Sequence, residues 1–381
     1  MLPAVQPWFE ENFTSRGEVG AAVSIWQHGR EILSLQGGTL QTDGSSAWKI
    51  DTLVPVWSAT KGPAAVSCLL ALHEAEIALH EPVASIWPEF STAGKGAITF
   101  AQLLSHRAGL CALDQRASVL DHAEVVRAIE AQAPLWQPGT QQAYHARTFG
   151  FLLDEVVRRI TGASSLGQYF RSRIGDPMDL DFWIGLPTEH HHRVATLYPG
   201  KFRPGAGEPA FLKAFSTPGS ITQRTFASPA GLHAISDLNR PESWLLGNAS
   251  LGGVGSARGL GMFYAMLAAG GVWSGRQIVP QEVVAVLQQP LSQAEDAVLC
   301  LPIAFSAGMM MDPVSDGKLR SHYGPSLRAF GHPGAGGSLA FADPEHGLAF
   351  AYVMNQMELG VLPGPKSLGM VERLYADVFS S

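Results

Sequence analysis

The chain has 381 residues, of which 46% are hydrophobic and only 15% charged, and its formal net charge is −7. That length supports one large domain or two intimate lobes and excludes a peptide hormone, a short adaptor or a disulfide-stapled miniprotein. The acidic balance lacks the clustered Lys and Arg that nucleic acid or an anionic membrane would need, so neither is an expected partner.

In chain order, the N-terminus reaches Glu10 and Glu11 without a basic n-region or an apolar h-region, so no export signal is read and a cytoplasmic protein is expected. Ala21 to Trp26 and Glu31 to Leu35 are β-prone runs joined by Gln27-His28-Gly29-Arg30, the spacing of a hairpin. Ala64 to Leu72 is apolar around most of its circumference and predicts a buried helix. Asp121 with Glu124 is a capping-box-like start for Val125, Val126 and Ile129, and Phe149 to Ile160 should stop at Gly162. Ser256 to Ala269 and Gln281 to Leu287 are also expected to be helical. The uncharged run between Arg258 and Arg276 carries five glycines and is too short in apolar residues to span a membrane, so it is expected to end at Gly270-Gly271. Leu327 to Phe330, Ser338 to Ala342 and Leu348 to Met354 return to strand patterning, the last two joined by the turn-forming Asp343-Pro344-Glu345-His346-Gly347.

Strands at both ends with helices between predict an α/β (α+β) fold. Its antiparallel sheet is formed by the N- and C-terminal segments, flanked by helices, and a mostly helical lobe is inserted. The expected division is 1–75 plus 295–381 for the α/β lobe and 76–294 for the helical one.

Absent motifs narrow the chemistry. The chain has no G-x-x-x-x-G-K-[ST], no G-x-G-x-x-G, no H-E-x-x-H and no G-x-S-x-G, so neither nucleotide cofactor nor metal is expected and an ordinary α/β-hydrolase is disfavoured. Cys68, Cys111 and Cys300 lack metal or disulfide spacing and read as reduced, buried thiols. Glu189-His190-His191-His192 reads as a solvated loop, because contiguous imidazoles do not share one face of a regular element.

S-x-x-K occurs at Ser46–Lys49, Ser58–Lys61 and Ser315–Lys318, and with 31 serines and seven lysines chance alone supplies occasional matches. Context separates them. Ser46 lies in a polar stretch and Ser315 precedes an Asp316-Gly317 turn, whereas Ser58 ends the apolar run Leu53 to Trp57 and opens the buried helix. Residues three apart face the same way in α and 3₁₀ turns, bringing the Lys61 amine to the Ser58 hydroxyl. Pro63 cannot donate back to Ala59, so the turn is expected to be 3₁₀, with the α-helix starting near Pro63. For Lys61 to take a proton near pH 7 its pKa must fall about three units from ~10.4, which burial can do. The alternative is a helix-capping serine beside a snorkelling lysine.

Four segments in order resemble the landmarks of the serine β-lactamase and penicillin-binding protein superfamily. They are Val56-Trp57-Ser58-Ala59-Thr60-Lys61-Gly62, Leu103 to Leu110, Trp136-Gln137-Pro138-Gly139 leading to Tyr144-His145-Ala146, and Phe330-Gly331-His332-Pro333-Gly334-Ala335-Gly336-Gly337. The resemblance is strongest to class C β-lactamases and the family VIII carboxylesterases. It implies a two-lobed fold and an acyl-enzyme mechanism, with Ser58 as nucleophile, Lys61 as base and Tyr144 relaying the proton to the leaving group. The backbone amides of Ser58 and Ala335 would form the oxyanion hole. His332, Gly334, Trp57 and His145 would meet the substrate. Ala146 stands where relatives carry Asn, and His332-Pro333-Gly334 where they carry Lys-Thr-Gly, so recognition of a β-lactam carboxylate should be poor.

The resemblance therefore implies a carboxylesterase for short acyl chains, acting on a small-molecule ester or amide. The alternatives are a β-lactamase, a D-Ala-D-Ala carboxypeptidase-like enzyme, an acyl transferase, a catalytically silent binding module, or a conventional triad using His332. The Gly-, Pro- and aromatic-rich stretch from Tyr198 to Leu245 is expected to shape the acyl and alcohol pockets.

Overall fold

The computed structural model describes residues 2–200, 208–315 and 317–379. Asp316 and part of the Tyr198–Leu245 stretch, residues 201–207, thus lie outside the described residues. In chain order the strands that build the fold are β1 (Gly20–Gln27), β2 (Arg30–Gly38), β3 (Val54–Pro55), β4 (Phe182–Ile184), β5 (Gly253–Gly255), β6 (Ser292–Asp296), β7 (Leu301–Phe305), β8 (Met310–Met311), β9 (Phe330–Pro333), β10 (Leu339–Asp343) and β11 (Leu348–Met354). The main sheet has eight strands in the order β2-β1-β11-β10-β9-β8-β7-β6, all antiparallel. The chain's two ends meet where Ser24 of β1 pairs with Ala351 of β11. The β1–β2 turn places His28 at φ 48° and Gly29 at φ 73°, the primed-turn geometry that matches strand twist.

Five helices matter for the site: α1 (Val5–Thr14), α2 (Lys61–Glu74), α3 (Thr148–Thr161), α4 (Ala257–Ala268) and α5 (Pro365–Phe379). Side chains alternate across the sheet. Phe350, Tyr352 and Met354 of β11 join Val5, Phe9, Met370 and Leu374 of α1 and α5 in one core. Ala349, Ala351 and Val353 face the core containing α2 and α4. The small residues on that face let α4 lie close, and a Cβ on Gly261 would sit 2.8 Å from the Trp26 indole nitrogen. Helix α4, from a stretch assigned by sequence to the helical lobe, thus packs on β1, β10 and β11.

Local signals explain most boundaries. Asp121 accepts from the Glu124 amide at 2.9 Å, while the Glu124 carboxylate turns to the Ser118 amide at 3.0 Å instead of closing a capping box. Gly162 ends α3 at φ 72°, and Ser256 caps α4 through the Gly259 amide at 3.0 Å.

Three expectations need correction. The strand expected at Leu327–Phe330 starts only at Phe330, because the Ser326 hydroxyl accepts the Arg328 amide at 3.1 Å and holds a turn there. Glu189 to His192 forms part of a 3₁₀ turn, Thr188–Arg193, not a loop, and His191 Nε2 donates to the Leu186 carbonyl at 3.1 Å. Cys68 and Cys111 are buried, which pushes both thiols up to about 12, but Cys300 is only half-buried.

Candidate active site

A small second sheet, ordered β3-β5-β4, delivers the chain to Ser58. Trp57 then takes φ 51° and ψ −132°, a left-handed backbone that costs about 1–3 kcal/mol for a bulky residue and persists only where neighbours impose it. The imposing contacts tie the turn to itself and to β5. The Thr60 amide and hydroxyl both donate to the Trp57 carbonyl, at 3.0 and 2.5 Å, and the Gly253 amide donates to the Thr60 hydroxyl at 2.8 Å. Ser58–Thr60 is a 3₁₀ turn that passes into α2 at Lys61, two residues before Pro63. The bend leaves Ser58 half-buried while Lys61 is fully buried.

Lys61 Nζ lies 3.2 Å from Ser58 Oγ and 2.8 Å from each of two main-chain oxygens, those of Ala146 and Ser250. Carbonyls only accept, so both take N–H hydrogens. A neutral amine has just two, and its remaining position is then a lone pair facing the Ser58 hydroxyl. Burial, reinforced by the Arg147 cation, holds the Lys61 ammonium well below its usual pKa, and no carboxylate opposes the shift.

The residues that hold Lys61 were not visible in the sequence. Ser250 Oγ donates to the Arg147 carbonyl at 2.7 Å and accepts the Gly150 amide at 2.6 Å, which locks its own carbonyl against the amine. The Arg147 guanidinium is anchored on the carbonyls of Pro229, Gly231 and Leu232. Main-chain atoms carry these roles, and only the asparagine missing at Ala146 hinted that Lys61 needed another partner.

Tyr144 is buried against Phe305, stacked at 6.2 Å, with its ring centroid 5.0 Å from Lys61 Nζ. The Asp296 carboxylate fixes its backbone by accepting the Tyr144 amide at 3.1 Å. Burial pushes the phenol well above its usual pKa. Its interaction with the Ser58 side chain holds it down slightly.

His332 lies on β9 beside the Ser58 turn, its ring 5.9 Å from that of Tyr144. After it, Gly334 packs directly on the Val56 carbonyl, which brings the following turn against the Ser58 stem. Among the described residues, neither the Ser58 nor the Ala335 amide donates to a protein acceptor. Trp57 and Ala335 are half-buried beside Ser58.

His145 does not join this group. Its Nδ1–H donates to the Ala143 carbonyl at 2.7 Å and its Nε2 accepts the Leu110 amide at 3.1 Å, so both nitrogens are consumed by backbone and the expected substrate contact is corrected to a structural pin.

A cavity of about 350 Å³ opens next to the Ala335 turn, with Phe211, Leu299, Met357 and Leu362 among its walls. It shares that wall with the turn, because the Gly336 amide donates to the Gly360 carbonyl at 3.1 Å and the Glu358 amide to the Gly336 carbonyl at 2.8 Å. Phe211 comes from the expected pocket-shaping stretch. Among the described residues, no group of His, Cys, Asp and Glu is arranged to hold a metal, and no helix is long and apolar enough to cross a membrane.

Residues 5–365 match the family model described as Beta-lactamase. The esterase/beta-lactamase LipL of Mycobacterium tuberculosis is 29% identical over 357 residues, covering 92% of this chain and 80% of that protein. A penicillin-binding protein homolog from Caulobacter crescentus is similar in structure at a TM-score of 0.87 and 33% identity, over 99% of this chain and 97% of that one. A family VIII carboxylesterase gives a TM-score of 0.88 at 32% identity with the same coverage.

Proposed function

This chain belongs to the β-lactamase family and is a serine hydrolase, and from that premise we propose that it is a carboxylesterase that opens small, uncharged esters through an acyl-enzyme on Ser58. The observation that carries the reading is the buried Lys61 nitrogen, held 2.8 Å from each of the Ala146 and Ser250 carbonyl oxygens and 3.2 Å from Ser58 Oγ, so that its neutral form turns a lone pair to Ser58. Lys61 accepts the Ser58 proton as Oγ attacks the ester carbonyl. The negative charge that forms on the carbonyl oxygen is met by the Ser58 and Ala335 amides. As the bond to the alcohol breaks, Tyr144 gives its proton to the leaving alkoxide and recovers one from Lys61. Water then repeats the sequence on the acyl-enzyme and releases the acid.

Two features favour an ester over a β-lactam. The strand position that holds a lysine in relatives carries His332, pushed down to about 3 by burial and by Lys61, so it is neutral at working pH and offers a substrate carboxylate no charge. Ala146 contributes only its carbonyl, already occupied by Lys61. A lost hydrogen bond to a charged group is worth about 1.5–3 kcal/mol, or about 10–100-fold in kcat/KM. A p-nitrophenyl ester of a short acid is therefore expected to be turned over at least tenfold better than nitrocefin, and faster nitrocefin hydrolysis would overturn the assignment.

The close approach of Gly334 to Val56 gives a second expectation. A methyl at Gly334 meets the Val56 carbonyl and comes within 3.2 Å of the Ser338 side chain, so Gly334→Ala must move the Ala335 amide. Removing one oxyanion donor typically costs about 10²–10³ in kcat. The measurement is kcat on the p-nitrophenyl ester, and a Gly334→Ala enzyme with unaltered kcat would contradict the role given to that turn.

A further inference from the structure

A buried ion pair reaches the main-chain segment that grips the Ala335 turn. Lys366, in the first turn of α5, has its Nζ 3.0 Å from Glu18 Oε2, and both side chains are buried. The Tyr352 hydroxyl of β11 donates to the same carboxylate oxygen, and the Val19 amide donates to Glu18 Oε1 at 3.2 Å. Helix α1 fixes the main chain of Lys366, because Trp8 Nε1 donates to its carbonyl at 3.2 Å and Asn12 Nδ2 at 3.4 Å. Taking two charges out of water is costly, and such a pair adds little stability over apolar residues of the same volume, so its presence calls for another role.

Lys366 Nζ also donates to the Gln356 carbonyl at 3.0 Å, just beyond the end of β11. Two residues on, the Glu358 amide donates to the Gly336 carbonyl at 2.8 Å, and the Gly336 amide donates to the Gly360 carbonyl at 3.1 Å. Both main-chain groups of the residue after Ala335 are thus bound by one short segment, 356–360. The Met357 side chain lies so close to Gly336 that a Cβ there would stand 2.5 Å from it. Residues 356–366 line the cavity of about 350 Å³, so on that face hydrogen bonds rather than packing hold the segment. We propose that Lys366 is a positioning residue for the oxyanion hole: by pinning the Gln356 carbonyl it fixes the 356–360 segment, and through that segment the turn that aims the Ala335 amide. Glu18 keeps the amine in place. The proposal rests on the reading of the Ala335 amide as a donor to the developing oxyanion.

Steady-state kinetics with the full chain compare Glu18→Gln with Glu18→Gln/Lys366→Met. Both lack the ion pair, and the amide oxygen at position 18 can still accept from Tyr352, so the two differ in the amine on the Gln356 carbonyl. Oxyanion donors act on the transition state. The double variant is therefore expected to lose about 10–100-fold in kcat on a p-nitrophenyl ester with little change in KM, while the single variant keeps most of its kcat. The matching thionoester carries sulfur, a weak hydrogen-bond acceptor, in place of the carbonyl oxygen, so its turnover should fall much less. A merely structural loss would lower both alike. A double variant with native kcat, a single variant as impaired as the double, or equal losses on ester and thionoester overturns the proposal.

Amide hydrogen exchange reads the same contacts without substrate or turnover. In the native protein, peptides holding the Gly336 and Glu358 amides should exchange far more slowly than in the unfolded chain. In the double variant they should exchange faster than in Glu18→Gln, with the peptides of α3 unchanged. Rapid exchange at these amides in the native protein overturns the proposal even where neither variant folds, and equal rates in the two folded variants overturn it as well. A protein inert toward esters whose Gly336 and Glu358 amides loosen only in the double variant would sink the esterase assignment and leave the hold of Lys366 on the turn standing.

Discussion

Ester hydrolysis by a Ser58→Ala variant is expected to fall by about 10⁴–10⁶, the loss seen when the nucleophile of a unit of interdependent catalytic groups is removed. The substitution deletes one half-buried hydroxyl and leaves the strained Trp57 backbone, the Thr60 hydrogen bonds and both carbonyl contacts of Lys61 in place. The fold should therefore be unchanged by circular dichroism and thermal melting. Retention of more than a tenth of the native rate by well-folded Ser58→Ala would remove Ser58 from the mechanism.

Lys61→Met should lower kcat by about 10²–10⁴, the usual contribution of a positioned proton acceptor. Its effect on stability separates two opposing forces. Methionine leaves the Ala146 and Ser250 carbonyls without a donor, at about 1–3 kcal/mol each. It also removes an amine whose charged form is disfavoured by burial. Because the folded pKa of Lys61 lies well below the unfolded value of ~10.4, the unfolded chain binds the extra proton between the two values, so native stability rises with pH across that window. The Met variant lacks this rise. Denaturant unfolding at a series of pH values should show a slope of about 1.4 kcal/mol per pH unit more in the native protein than in Lys61→Met within the window. Parallel curves would mean that Lys61 titrates alike in both states, and the base role would fall with them.

Much of this was legible in residue order. The hairpin at Gln27 to Arg30, the final strand Leu348–Met354 and the helix stop at Gly162 are carried by short-range turn chemistry and alternation. The pairing of Ser58 with Lys61 follows from spacing plus the apolar helix behind it, and Pro63 foretold the 3₁₀ turn. What escaped was made by distant main chain. The oxygens that hold Lys61 come from residues 85 and 189 positions away, and a carbonyl has no residue identity to recognise. Strands β6 to β8 are short, and they gain their sheet character from partners rather than from their own sequence. His145 illustrates the converse: a polar residue adjoining a catalytic tyrosine looked like a substrate contact, and only the Leu110 and Ala143 backbone groups show why it sits there. The difference between His332 and His145 is likewise one of hydrogen-bond partners, since one keeps a free nitrogen and the other does not.

The central claim is that an uncharged Lys61 activates the Ser58 hydroxyl. Its most direct test is the rate at which a fluorophosphonate labels Ser58 as a function of pH, with the modified peptide mapped. Labelling should reach half its maximum well below the usual lysine range near ~10.4 and nearly vanish in Lys61→Met. A half-maximum at the ordinary lysine value, or equal labelling of the Met variant, would contradict it.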